Sequence, residues 1–446
     1  MIDIEAWELL LLPIYIGIIL AISFFIKGRN IRLQPEYKYY IPGLMAKIAG
    51  GVAFACIYLF YYHGGDTTTY YQCSVSMVNL LMERPLDFLQ VFFTQTSSEN
   101  LSLFDSKTGY VWAFMYYDIK TFTVIRFVTP FVAIAFKSYL LGTVLIAWVC
   151  YIGIWKVYLL FGNYYPVLRK KLAIAFLFLP SALLWGSGIA KDSITLSAVC
   201  WLVFACHQLF IAKKYNLANM VCFFIALYLI FSIKPYAIYA LAPGMVIWLF
   251  HDRIQRIKSN AFRRLVMPLI FLLFIGIGGF SFYAFGDMLV DTKIIDEQLE
   301  RAAVIQDDLK QSYYGGNSFD IGSFEPTASG VLSKLPIAVV SGLFRPFIWE
   351  GNMITLFAAI ESSILLVLFF VGVLKSRVLG IFGYLAGHPV FLFFISYSLI
   401  LAFIVGLTTS NFGALVRFKI TFLPFFVGGV FILMYLSKQR KSGVFT

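Results

Sequence analysis

One carboxylate and a group of cations stand out because each lies where an apolar stretch begins or ends. Asp66 follows the apolar segment 41–62 in YYHGGDTTTYY, with His63 just before it. Lys191 and Asp192 lie in WGSGIAKDS, Lys234 in SIKPY, Arg345 in LFRPFIWE, and Arg417 and Lys419 in NFGALVRFK. Arg126 lies in FTVIRFVTPFVAIAF, residues 122–136. Ionisable groups at membrane depth are costly and usually mark function. A phosphate or diphosphate at a membrane surface needs several Lys or Arg donors, and arginine adds bidentate geometry. A carboxylate beside them can accept the proton of an attacking hydroxyl. That set suits transfer of a sugar from a lipid phosphate to an alcohol. The leaving group is already good, so position, charge stabilisation and one base are what the protein must supply.

Each residue also has a purely structural reading. Asp66 stands before a helical run, as an N-cap would. Lys191 and Asp192 suit a helical-hairpin turn with an acid near a helix N-terminus. Lys234 before Pro235 is placed to snorkel. Arg345 beside Trp349 is an interfacial aromatic setting, and Arg417 and Lys419 suit plain membrane anchors. His63 is placed either for proton transfer or for a structural role at an interface. Inside the apolar stretches the charges read as Lys156 and Glu361, with no role assigned to Glu361. The shared placement of the other residues on one face is the stronger signal.

Composition shows what must position them. The 446 residues are 60% hydrophobic and 13% charged, with mean hydropathy +0.83. An ordinary soluble domain is about 45–50% apolar and about 25% charged. A soluble enzyme, a disordered chain and a disulfide scaffold are thereby set aside. Long unbroken apolar runs such as 139–161 and 354–374 replace the alternating segments of about ten residues that a β-barrel would show. The expected fold is an all-α polytopic membrane protein. Five of the six cysteines lie inside apolar runs, no Cys/His cluster suggests a metal, and the four histidines are scattered. Net charge is +12, but its spread over short loops argues against nucleic acid.

Spans of roughly 20 apolar residues are read at 7–27, 41–62, 139–161, 171–187, 192–212, 217–232, 236–251, 265–285, 354–374, 388–408 and 418–436, eleven in all. The segments after alternate spans carry Lys27, Arg29, Arg32 and Lys38; Arg169, Lys170 and Lys171; Lys213 and Lys214; Arg253, Arg256, Lys258, Arg263 and Arg264; Lys375 and Arg377; and Lys438, Arg440 and Lys441. Their only acids are Glu36 and Asp252. The positive-inside rule therefore places the N-terminus outside and the C-terminus in the cytoplasm. Counting 122–136 as a twelfth span would put Arg169–Lys171 outside, so it reads as interfacial or re-entrant. Four regions follow: an extra helix and basic loop at 1–40, a core at 41–285 with an outer loop at 63–121, an acidic outer loop at 286–353, and C-terminal spans with a basic tail at 354–446. In the first outer loop, amphipathic stretches near 69–82 and 86–93 are expected to lie along the membrane surface.

On the segments YYHGGDTTTYY, LPSALLWGSGIAKDSIT, LFRPFIWE and NFGALVRFKITFLP, the chain resembles the GT-C superfamily of integral-membrane glycosyltransferases, in particular multi-span members from polysaccharide gene neighbourhoods of Bacteroidota-like bacteria. The architectural likeness covers roughly 41–436, and the motifs cover a few dozen residues. The resemblance implies an essential acid in the first large outer loop, matched by Asp66, followed by membrane-parallel helices. It also implies a polyprenyl-phosphate-linked sugar as donor and a glycan or lipid hydroxyl as acceptor. The site would face outward from a bacterial inner membrane. Lys191, Lys234, Arg345 and Arg417 match the phosphate-holding basic residues by position only. The chain departs from the family in its extra first span, in lacking a second acid next to Asp66, and in lacking a soluble outer domain. The cofactor expectation is accordingly none, with a divalent metal left open. A repeat-unit polymerase or ligase acting on lipid diphosphates is the neighbouring alternative. A lipid-linked glycan flippase is the non-enzyme one, and it predicts charges through the bilayer and repeat symmetry.

Overall fold

A computed structural model describes residues 4–256, 318–322, 328–350, 355–376 and 378–441. They divide into two compact units, Met1–Leu209 with Lys214–Pro235, and Phe210–Lys213 with Tyr236–Thr446. Helices make up both. Among the described residues the one strand-like pairing is an isolated antiparallel bridge between Ser318 and Asn411.

The first unit comprises α1 (Ala6–Asn30), α2 (Tyr40–Cys56, continued by a π-turn Ile57–Tyr61), α3 (Asp66–Glu83), α4 (Pro85–Phe93), α5 (Ser98–Leu101), α6 (Ala113–Tyr117), α7 (Ile119–Ile134), α8 (Tyr139–Tyr164), α9 (Arg169–Leu177), α10 (Pro180–Trp185), α11 (Lys191–Cys206) and α12 (Leu217–Ile233). Local chemistry sets several boundaries. Glu5 and Glu8 form a capping box at the start of α1, and Lys27 and Arg29 face the negative end of its dipole. Ser138 caps α8 by accepting from the Leu141 amide, and Asp118 caps α7 in the same way.

The helices of this unit run in fixed directions. The Tyr151 hydroxyl donates to the Tyr40 carbonyl at 2.8 Å, while Gly51 lies against Thr143 and Ala147, so α2 and α8 are antiparallel. Gly142 neighbours Ile189 and Gly153 neighbours Ser197, so α11 runs parallel to α8. The Ser138 hydroxyl donates to Glu8, which brings the start of α1 to the start of α8. Arg169 pairs with Glu36 at the opposite end. One end of this bundle thus gathers the first residues of α1, α8 and α11 and the last residues of α2 and α12. Helix α7 begins and finishes at that same end: Asp118 meets Lys191, and the Tyr15 hydroxyl reaches the Ile134 carbonyl at 2.7 Å. At 16 residues it is also shorter than the candidate spans.

The second unit comprises α13 (Tyr236–Gln255), α14 (Ala328–Ser333), α15 (Leu335–Phe344), α16 (Thr355–Ser376), α17 (Val378–Gly387), α18 (Pro389–Thr408), α19 (Phe412–Lys419) and α20 (Leu423–Lys441). Helix α18 is its axis, packed by α13, α15 and α20. Its aromatic core includes Trp248 stacked on Phe393 at 5.4 Å and Tyr397 edge-on to Phe425 at 5.1 Å. Helices α15 and α18 touch backbone to backbone, because a Cβ on Gly406 would fall 1.9 Å from the Ala338 carbonyl oxygen.

Six described helices are long and apolar enough to cross a membrane, or seven if α19 and α20, bent by 64°, form one broken span. The described residues do not support the expected count of eleven. The segment 171–187 is split into α9 and α10 at Phe178–Leu179, ahead of Pro180, whose ring restricts its predecessor to extended conformations. Helix α12 has 17 residues and belongs with the shorter apolar helices, and α13 is not among the six. The expected span 265–285 and most of the acidic loop 286–353 lie outside the described residues. The amphipathic stretches near 69–82 and 86–93 are helices α3 and α4.

Candidate functional site

The first unit builds its site at the end where α8 and α11 begin. After the π-turn of α2, His63, Gly64 and Gly65 all take positive φ (52°, 138° and 131°) and turn the chain into α3. Glycine meets that demand without a Cβ clash; His63 is the exception. The N-cap is Gly65 and not Asp66. Its carbonyl accepts the Thr68 and Thr69 hydroxyls at 2.7 and 3.1 Å. Asp66 is the first helical residue, exposed, and favourably placed at the positive end of the α3 dipole. His63 is likewise exposed. The Thr67 and Tyr139 hydroxyls meet at 3.0 Å and fix the start of α3 to the start of α8.

One turn further along α3, Tyr70 is buried, and the Lys191 ammonium lies 6.0 Å from its ring centroid. The same ammonium pairs with Asp118 at 3.3 Å. Asp118 also accepts from the Lys120 amide at 3.1 Å and from the Thr121 hydroxyl. Burial pushes its carboxyl up, but the Thr121 hydroxyl, the Lys191 charge and the Lys120 amide outweigh that and hold it below the ordinary aspartate value. Asp118 is thus a persistent anion that orients Lys191.

Beneath this surface pair, Asp192 and Lys234 form a second ion pair, with side chains only 1% and 6% exposed. It ties the first turn of α11 to the C-cap of α12. Each charge is tolerated at that burial because its partner is there. Arg126 is a staple as well. It donates to the Val91 carbonyl at 2.8 Å and to that of Thr94 at 2.5 Å, and its guanidinium lies 4.6 Å from the Phe122 ring.

The second unit groups Arg345 and Lys419. The Lys419 ammonium donates to the Arg345 carbonyl at 2.8 Å and to the Ser362 hydroxyl at 3.0 Å, and it lies within electrostatic reach of Glu361. The Arg345 guanidinium pairs with Glu350 at 3.2 Å and lies over Phe319 at 4.8 Å. Arg417 is half-buried in the last turn of α19.

Two residues escaped the sequence reading. Asp118 was hidden because DIKT before an apolar run reads simply as a cap. Lys47 sits within the apolar stretch 41–62; it is buried, and its ammonium donates to the Gly186 carbonyl. A lone charge inside an apolar run was the available signal. Among the described residues no three His, Cys, Asp or Glu side chains come together as metal ligands would. Compared with known proteins, the chain matches no family model, no curated protein and no solved structure.

Proposed function

We propose that this protein is an integral-membrane glycosyltransferase. In this reading it moves a sugar from a polyprenyl-phosphate-linked donor to an acceptor hydroxyl on the outer face of a bacterial inner membrane, in cell-surface polysaccharide synthesis. The observation that carries the reading is the grouping at one end of the first unit. An exposed carboxylate, Asp66, opens α3, and one turn on, Tyr70 and Asp118 flank the Lys191 cation. Asp66 accepts the proton of the acceptor hydroxyl as that oxygen attacks the sugar. Lys191, held by Asp118, stabilises the negative charge left on the departing phosphate. Asp192 and Lys234 position the first turn of α11 without touching substrate. The outward orientation is supported by the basic loops, since the Glu36–Arg169 contact lies at the other end of the bundle.

The test is sugar transfer in isolated membranes from a labelled polyprenyl-phosphate sugar. Asp66→Asn is expected to lower kcat by 100-fold or more with normal protein abundance, in the range of lost general-base catalysis of about 10²–10⁴. Full transfer by that variant would remove Asp66 from the mechanism. A second reading, a repeat-unit polymerase or ligase, draws on Arg345, whose guanidinium is stacked on Phe319 beside Lys419. It predicts an inert Asp66 together with an essential Arg345.

A further inference from the structure

Between Gly109 and Asp118 the chain forms a strap along α3. Asn79 donates to the Thr108 carbonyl at 2.9 Å and Ser76 to that of Tyr110 at 3.3 Å. Further on, the Tyr116 hydroxyl accepts from the Ser97 amide at 3.1 Å, and the strap ends at the Asp118–Lys191 pair. Val111, Met115 and Tyr116 point inward and are buried, while Tyr110, Trp112, Phe114 and Tyr117 are 50–67% exposed. The rings of Trp112 and Phe114 meet edge to face at 6.1 Å. Hydrogen bonds therefore fix a row of aromatic side chains outward on a rail.

We infer that this strap is a bilayer-interface seat, with Tyr110, Trp112, Phe114 and Tyr117 lying among lipid headgroups and the upper acyl chains. Three observations select lipid as the occupant. The strap ends at Lys191, the first residue of a helix long and apolar enough to cross a membrane, so it lies at the depth where hydrocarbon gives way to water. Amphipathic Trp and Tyr rings collect at that depth. The run YVWAFMYY holds no charged or amide side chain, whereas a glycan platform needs such groups beside its rings to satisfy the sugar hydroxyls. The seat holds Asp118 and Lys191 at headgroup level, where a lipid-borne phosphate would lie. The inference rests on the chain crossing the membrane and is independent of the transfer chemistry.

The test is tryptophan fluorescence of the full chain in phosphatidylcholine vesicles whose acyl chains are brominated either near the headgroup or near the methyl end. Subtracting the signal of Trp112→Phe isolates Trp112 from the other seven tryptophans. Adding Tyr117→Trp to that variant gives a second reporter should Trp112 emit weakly. Both reporters are expected to lose most of their intensity to the shallow bromine, and several-fold less to the deep bromine or to aqueous iodide. Stronger quenching by iodide, by deep bromine or by none of the three overturns the inference. If no tryptophan in the chain responds to either lipid, the membrane-crossing reading itself has failed.

Discussion

At the residue scale, the two lysines of the first unit differ in what surrounds them. Lys191 keeps a partly open face and a half-buried partner, whereas Lys234 and Asp192 are sealed against each other. Removing one member of a sealed pair strands the other charge, at about 3–5 kcal/mol. Lys234→Met is therefore expected to lower the detergent melting temperature sharply, and adding Asp192→Leu should recover much of the loss. A melting temperature unchanged in the single variant would show that the pair is not sealed. Asp118 predicts a pH effect of definite sign. Folding holds its carboxyl below the ordinary value, so its contribution is complete above the unfolded value and is lost as pH falls through the folded one, below about pH 4. Asp118→Asn should be less stable than the parent at neutral pH, with the difference closing in acid. A gap that persists into acid would mean that Asp118 stabilises through packing and not through charge.

At the scale of elements, α2 shapes the turn that launches Lys191. Lys47 binds the Gly186 carbonyl, and a Cβ on Gly50 would fall 2.2 Å from the Leu183 carbonyl oxygen. Gly188 is equally tight, since its Cβ would lie 2.0 Å from the Phe54 ring. The α10–α11 turn is therefore clamped on α2 by close backbone approach and one buried ammonium. Overpacking of this kind costs about 1–3 kcal/mol. Gly50→Ala should lower thermal stability by about that amount and, under the proposed function, reduce transfer by shifting Lys191. Gly17→Ala, with nothing within 4 Å of its Cβ, is the control expected to change neither. Equal behaviour of the two variants would count against the clamp.

At the scale of the whole molecule, the first unit separates its ends, with Glu36 and Arg169 at one and Asp118 and Lys191 at the other. The orientation proposed from the basic loops makes a labelling prediction. A cysteine at exposed Lys107 should react with an impermeant maleimide in cells with an opened outer membrane. One at Arg29 should react only after the inner membrane is breached. The reverse pattern would move the proposed chemistry to the cytoplasmic face. Much of this architecture was legible in the sequence. Apolar runs such as 7–27, 139–161 and 388–408 became α1, α8 and α18, because a helix that buries its own backbone polar groups is the one structure such a run can form in lipid. The position of Asp66 at the start of a helix could be read from charge and pattern, and α7, which covers most of 122–136, is not among the helices long and apolar enough to cross a membrane. Which charges would neutralise one another was not legible. Lys191 meets Asp118 across 73 positions and Lys234 meets Asp192 across 42. Such pairings depend on helix directions and on glycine-to-backbone approaches that leave no local periodicity. The sequence by itself determined the helical, membrane-suited class and the candidate charges, because hydropathy is a local property. Tertiary structure alone decided which of those charges are buried braces and which stay presented, because burial depends on neighbours distant in the chain.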